Sequence, residues 1–378
     1  VIAGVIAGVI AGVIAGVISG VISGVIASVI ASVLPVCCQC DCRCDCLGGF
    51  LFFLLIFSHG TCTLHVFFSN RFLWFLDATT AGGRTMEPDV YINGEFVPKS
   101  KATVSVFDHG FLYGDGIFEG IRVYNGRIFK LKAHLVRLYE SAKTIMLNIP
   151  LTIDEMERNV IETVRRTGFR DAYIRLVVSR GVGDLGLDPQ KCYRPSVIII
   201  VDHIQLYPEE LYLNGLPTAT VSTTRNPSDS LNPKIKSLNY LNNIMAKIEA
   251  NNMGIPEGIM LNKSGYVAEA TADNIFIVRN SHLLTPPSYD GALEGITRNT
   301  ILELGQEMGY HSEKKTLTRH DLYNSDECFL TGTGAELIPI IKIDGRVIGT
   351  GKPGPAFHKL REKYKELTQK EGTHVFDD

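Results

Sequence analysis

Apolar positions change their period several times along this chain, and each change predicts an element. In Val90-Tyr91-Ile92-Asn93-Gly94-Glu95-Phe96-Val97 two short apolar runs flank an Asn-Gly pair, the pattern of a tight hairpin. Tyr124-Asn125-Gly126-Arg127 predicts a second hairpin. Leu135, Leu138, Ala142 and Ile145 share one helical face, as do Met156, Val160, Ile161 and Val164. The β-branched runs at 172–179 and 196–201 read as buried strands. A polar connection is expected over 203–217, then a strand at 218–223 and a flexible polar loop at 225–233. That loop leads into a helix whose apolar stripe is Leu238, Leu241, Met245 and Ile248. Further strands are expected at 258–261, 274–278, 328–330 and 338–343, with a helix at 297–308.

The first 85 residues follow none of these periods. Residues 1–34 are a drifting Val-Ile-Ala-Gly repeat without charge, followed by Cys37, Cys38, Cys40, Cys42, Cys44 and Cys46 and by two aromatic-rich apolar patches. The repeat is long enough to span a bilayer, and its small residues four apart suit helix packing. The alternating cysteines lack the paired spacing of ordinary zinc sites, and no basic start marks a signal peptide. All seven methionines lie at or after Met86. The segment 1–85 is therefore read as a spurious or disordered low-complexity extension, with a membrane contact expected only if it is real. From Met86 onward two cysteines remain, Cys192 and Cys328, which suits a reducing cytoplasm. Charge is mixed and mildly acidic, net −3, so nucleic acid is not an expected partner. The expected organisation is an α+β chain with a small domain at 86–203, a connection at 204–216 and a larger domain at 217–378.

Candidate chemistry centres on Lys236, where the polar loop turns towards a helix, and on Glu269 further along. A lysine able to attach a carbonyl, with an acid able to keep a pyridine nitrogen protonated, is what pyridoxal phosphate chemistry requires. Gly295-Ile296-Thr297 opens a helix, so the amides of Ile296 and Thr297 would point at an anion; a simple helix cap is the plainer alternative. Thr331-Gly332-Thr333-Gly334-Ala335 is a second small-residue loop after a strand. Tyr173 and Arg175 share one strand face, and an inward arginine needs an anionic partner. Arg137 alone reads as a solvated charge, and His109 and His134 read as structural. No metal set is expected.

Phe118-Glu119-Gly120-Ile121-Arg122, His134-Leu135-Val136-Arg137-Leu138, Tyr173-Ile174-Arg175, Lys236-Ser237-Leu238-Asn239-Tyr240-Leu241, Glu269-Ala270-Thr271-Ala272-Asp273-Asn274, Gly295-Ile296-Thr297-Arg298 and Thr331-Gly332-Thr333 occur in this order. Together they resemble a class IV pyridoxal-phosphate aminotransferase, most closely a branched-chain amino acid aminotransferase, over Met86 to about Arg361. The resemblance implies the two-domain fold shared with D-amino acid aminotransferase. It implies that Lys236 binds pyridoxal 5′-phosphate covalently and moves a proton, with Glu269 on the ring nitrogen and Tyr240 on the phenolic oxygen. Arg137, Ile296, Thr297 and Thr333 would hold the phosphate. Gly334 and Ala335 would offer amides to the substrate carboxylate, and Tyr113, Phe118, Tyr173 and Arg175 would line the pocket. Amino groups would pass between leucine, isoleucine or valine and 2-oxoglutarate, in a homodimer or higher homo-oligomer. D-amino acid aminotransferase and aminodeoxychorismate lyase share the scaffold and are the alternatives; a membrane-anchored, non-catalytic binder is a remote one. The loop after Arg175 lacks the Arg-x-His carboxylate trap of the D-amino acid enzymes.

Overall fold

The computed structural model describes residues 88–376, together with an antiparallel strand pair, β1 (Phe52–Ser58) and β2 (Thr61–Phe67). The chain divides into two compact units at residues 84 and 85. Apart from the β1–β2 pair, the expectations for residues 1–85 lie outside the described residues. Among the described residues no helix is long and apolar enough to cross a membrane.

The second unit begins with the Asn-Gly hairpin, β3 (Asp89–Ile92) and β4 (Glu95–Pro98). Asn93 and Gly94 take the positive φ values, 53° and 102°, that a tight turn of this hand demands. A short helix α1 (His109–Tyr113) leads to β5 (Gly116–Tyr124), which turns through Asn125-Gly126 into β6 (Arg127–Ile128). Helices α2 (Leu131–Thr144) and α3 (Ile153–Thr167) follow, then β7 (Ala172–Ser179) and β8 (Ser196–Asp202). Thr152 and Glu155 form a reciprocal capping box that starts α3. Along β7, Ala172, Ile174, Leu176 and Val178 are buried under α2 and α3, leaving Tyr173 and Arg175 on the opposite face.

The second half contains α4 (Glu209–Asn214), β9 (Leu216–Thr220), α5 (Leu241–Asn252), β10 (Glu257–Leu261), β11 (Val267–Ala270), β12 (Asn274–Arg279) and β13 (His282–Thr285). Then come α6 (Ile296–Glu307), β14 (His311–Lys314), α7 (Arg319–Tyr323), β15 (Glu327–Gly332), β16 (Glu336–Ile343), β17 (Arg346–Val347), α8 (Pro355–Lys370) and β18 (Thr373–His374). One sheet has the order β18-β6-β5-β7-β8-β3-β4 and the other β11-β10-β9-β16-β15-β12-β13-β14, with β17 on β16. The chain's last strand thus returns to the first sheet. Phe276, Phe329, Phe357 and Tyr364 pack between the second sheet and α6 and α8, and Tyr124 and Phe129 of the first sheet join the same cluster. An antiparallel first sheet and a mixed second sheet, with helices on their faces, make this an α+β fold of two sheets.

Three local expectations need correction. The helix after Lys236 begins at Leu241, so Lys236 and Leu238 lie in the loop before it. Its supposed core stripe is also reversed. Leu241, Met245 and Ile248 are 63%, 50% and 46% exposed, whereas Asn243, Ala246 and Ala250 are buried. Small residues let the helix lie close on Val221 and Met260, and Asn243 is satisfied by hydrogen bonds. The connection over 203–217 holds a helical turn, α4, and a buried Tyr207 rather than a simple linker.

Candidate active site

Lys236 is held by a short stretch of extended backbone laid along the start of β5. Phe118 N donates to Lys236 O at 2.9 Å, and Leu238 N donates to Gly116 O at 2.9 Å. Gly116 permits the approach, since a Cβ there would lie 2.6 Å from Leu238 Cδ1 and 2.7 Å from Val178 O. The Lys236 amine sits 3.3 Å from the Tyr240 hydroxyl and 4.7 Å from the centroid of the Phe118 ring. Lys234, the neighbouring candidate, is half exposed and faces Glu294 at 3.8 Å.

Glu269 is buried at the end of the second sheet. Its Oε1 accepts from Arg225 Nε at 2.9 Å, and its Oε2 accepts from Leu293 N at 2.9 Å and Asn274 Nδ2 at 3.2 Å. Three bonds leave the carboxylate acceptor capacity for one more donor. Arg225, expected in a flexible polar loop, is instead buried, and its Nη1 donates to Asn243. Nothing in its local sequence distinguishes it from a solvated arginine; the pairing spans 44 residues.

Arg137 is likewise an inward group and not the solvated charge that a lone helical arginine suggests. Its Nε and Nη2 grip Glu119 at 2.7 and 2.8 Å, and its Nη1 donates to Glu294 O at 2.7 Å. Two N–H groups remain for an anion. His134 Nδ1 meets the same carboxylate at 2.8 Å. Burial raises the Glu119 carboxyl, but Arg137 and His134 outweigh it and hold the group at about 2. Alternation along β5 puts Glu119 opposite Phe118, a signal that could have marked it as an inward acid needing a cation.

Gly295 starts α6, leaving the amides of Ile296 and Thr297 without intrahelical acceptors. A Cβ at Gly295 would fall 2.0 Å from Asn274 Oδ1, so only glycine brings this end so close to the Glu269 support. Thr333, Gly334 and Ala335 form the turn between β15 and β16, where Gly332 pairs with Glu336. Leu206, from the connection, lies 2.7 Å from where a Cβ of Gly334 would be.

Phe118, Gly120 and Arg122 share one face of β5, opposite Tyr173 and Arg175 on β7. The Arg175 guanidinium stacks 4.7 Å from the Phe118 centroid and donates to the Tyr173 hydroxyl at 3.2 Å. Phe118 also meets Tyr240 edge-on at 5.1 Å. Lys236, Tyr240, Phe118, Tyr173 and Arg175 are therefore joined by direct contacts. Tyr113 is not brought to them: it is 36% exposed on α1 and donates to Leu185 O. A further buried acid, Asp273, lies nearby. Burial first, then the charge of Glu257, pushes Asp273 up to about 7, while the Tyr207 hydroxyl and the Lys236 charge oppose this. Tyr207 Oη donates to Glu257 at 3.0 Å and lies 3.4 Å from Asp273.

The class IV aminotransferase family model matches residues 116–343, which include Glu119, Lys236, Glu269 and Asp273, the start of α6 and the 333–335 turn. The "Putative branched-chain-amino-acid aminotransferase" of Methanocaldococcus jannaschii is 52% identical over 289 residues, 76% of this chain and 99% of that protein. A branched-chain aminotransferase from Thermoproteus uzoniensis, solved with norvaline, superposes with a TM-score of 0.71 at 39% identity, over 76% of this chain and 99% of the other. The T.th. branched-chain amino acid aminotransferase, solved with N-(5′-phosphopyridoxyl)-L-glutamate, gives 0.71 at 37% identity, over 75% and 94%. Such identity across nearly the whole of each relative extends well beyond the site loops. The chain belongs to the class IV aminotransferases.

Proposed function

We propose that this chain is a pyridoxal-phosphate-dependent aminotransferase that passes the amino group between L-leucine, isoleucine or valine and 2-oxoglutarate, giving branched-chain 2-oxo acids and L-glutamate. The observation that carries this reading is the Lys236 amine, held 3.3 Å from the Tyr240 hydroxyl over the Phe118 ring. The names of the relatives and the bound ligands of the solved neighbours agree with it. The residues present fit the cofactor. Lys236 offers the amine, Glu269 an acceptor for the ring nitrogen and Tyr240 a donor for the phenolic oxygen. Arg137, Ile296, Thr297 and Thr333 offer donors to the phosphate.

When bound, pyridoxal phosphate supplies an electron sink for charge developing at the substrate Cα. The remaining work belongs to the protein. Lys236 would take and return the proton at the substrate Cα, and the Tyr240 hydroxyl orients its Nζ. Glu269, fixed by Arg225, Asn274 and Leu293 N, keeps its acceptor aimed without needing to reorganise. Gly334 and Ala335 present amides to the substrate carboxylate. Phe118 and Tyr173 give the pocket an apolar wall for an aliphatic chain, and Arg175 at its rim takes the second carboxylate of glutamate.

The D-amino acid alternative is disfavoured by Arg180. Its guanidinium is buried, doubly bonded to Asp115 at 2.9 and 3.0 Å, and capped by the carbonyls of Ile145 and Met146, so it is not free to trap a carboxylate. The exposed apolar faces of α5 and of Phe107, Phe111, Leu185 and Leu187 support a homodimer or larger homo-oligomer. Free Cys192 and Cys328 agree with the cytoplasm. The decisive experiment is absorption spectroscopy of the purified chain. Wild type is expected to be yellow and to transaminate L-leucine with 2-oxoglutarate, and Lys236→Ala to lose both the visible band and turnover. A Lys236→Ala protein that keeps its band, or a wild type that never takes up the cofactor, would sink the assignment. A panel of L-leucine, D-alanine and aminodeoxychorismate separates the three activities.

A further inference from the structure

Glu336 sits in the left-handed region at φ +58°, the first residue of β16 after the 333–335 turn. A side chain there costs conformational energy that glycine would not incur, and such residues persist where the surroundings hold them. What holds this one comes from the other sheet. Arg122 Nη2 approaches Glu336 Oε1 at 3.5 Å, with both side chains about four-fifths buried. The Arg122 Nε has no hydrogen-bond partner among the described residues, and its guanidinium lies 5.2 Å over the Tyr124 ring. Arg122 shares the β5 face of Phe118 and Gly120, so the ion pair ties the substrate wall to the turn.

We propose that the Arg122–Glu336 ion pair positions the 333–335 turn for a substrate carboxylate, and that Arg122 cancels a charge that would otherwise repel it. The proposal rests on the reading above that Gly334 and Ala335 bind that carboxylate. The turn is fixed on its other sides by apolar or tightly packed contacts. Asp273 Oδ1 lies 1.9 Å from where a Cβ of Gly332 would be, and Leu206 covers Gly334. Arg122 supplies a charged restraint from the other sheet. Without it, the Glu336 carboxylate stands one residue beyond the Ala335 amide with no ion-pair partner among the described residues. Loss of Arg122 is therefore worse than loss of Glu336, and the two effects are not additive.

The test uses the full chain loaded with cofactor. Binding of the unreactive carboxylate 4-methylpentanoate is measured by calorimetry, alongside KM and kcat for L-leucine and its 2-oxo acid. Arg122→Gln is expected to raise Kd and both KM values roughly tenfold with little change in kcat, and Glu336→Gln to raise them less. The double variant is expected to be no worse than Arg122→Gln alone. Glu336→Gly tolerates the backbone conformation, so it is expected to keep the wild-type Tm and still bind the carboxylate more weakly. Wild-type Kd in Arg122→Gln, wild-type KM in Glu336→Gly, or a wild type that binds no carboxylate would each overturn the proposal. A wild type that binds the carboxylate but transfers no amino group would refute the proposed function instead, leaving the ion pair to be judged on Kd alone.

Discussion

Glu119 in the first sheet and Asp273 in the turn between β11 and β12 of the second are both buried carboxylates near Lys236, and they behave oppositely. Glu119 is enclosed by Arg137 and His134 and is held down at about 2. Asp273 is enclosed by Glu257 and Tyr207 and is pushed up to about 7. Burial acts in the same direction on both, so the sign of the neighbours decides the outcome. The Lys236 charge reaches both clusters, opposing the charging of His134 and favouring ionised Asp273. One region thus supplies a permanent anion that aims Arg137, and the other an acid whose carboxyl is raised to about 7.

The contrast predicts opposite pH slopes. Glu119 has its folded value lowered from 4.5, so its stabilisation is present above that value and is lost as pH falls towards 2. Asp273 has its folded value raised from 3.8, so its stabilisation is present below that value and is lost as pH rises towards 7. The largest effect is expected from Glu119→Gln, which leaves the buried Arg137 without its counter-ion. It should cost about 3–5 kcal/mol at neutral pH and remove most of the acid-limb loss, read from urea midpoints across pH. An unchanged midpoint would show that Arg137 does not depend on this acid.

Asp273→Asn should go the other way, adding on the order of 2–4 kcal/mol above pH 7 and little near pH 4. A variant less stable than wild type at pH 8 would break the comparison. Gly120→Ala sharpens it by disturbing the face of β5 opposite Glu119. A Cβ there would lie 2.0 Å from the Tyr173 hydroxyl, so that ring must move away from Arg175. About 1–3 kcal/mol of strain is expected, with a raised KM for 2-oxoglutarate and a smaller change for leucine. Thr152→Ala gives the smallest effect. It removes the cap of α3, where a solvent-exposed Glu155 is held down by hydrogen bonds from Thr152. The loss should be about 1 kcal/mol in chemical unfolding, with kinetic constants unchanged.

Legibility differs between the fold and the site. Both Asn-Gly hairpins and the alternation of β7 are readable because they depend on local backbone angles and on a period of two. The start of α5 is not, because no sequence signal marks where Lys236 leaves the β5 edge; Tyr240 precedes the helix without a side-chain cap. Its buried face is hidden as well, because apolar spacing shows which face is greasy, not which face the rest of the chain covers. Lys236, Tyr240, Phe118, Tyr173 and Arg175 are marked by their motifs and do meet in space. Tyr113, which lies in none of the quoted motifs and is only implied by the resemblance, does not join them.

The sequence by itself determined the hairpins, the main strands and helices, the aminotransferase resemblance and Lys236 as the candidate lysine. These follow from short-range periodicity and turn stereochemistry, written within a few residues, and from short motifs whose order can be read along the chain without knowing the fold. Only the tertiary structure decided which charges are buried together. Arg225 reaches Glu269 across 44 residues, Arg137 reaches Glu294 across 157, and Asp273 faces Glu257 while Glu119 faces Arg137. A local reading shows that a side chain is charged; its protonation and its partner depend on the dielectric and the neighbours that chain closure brings around it.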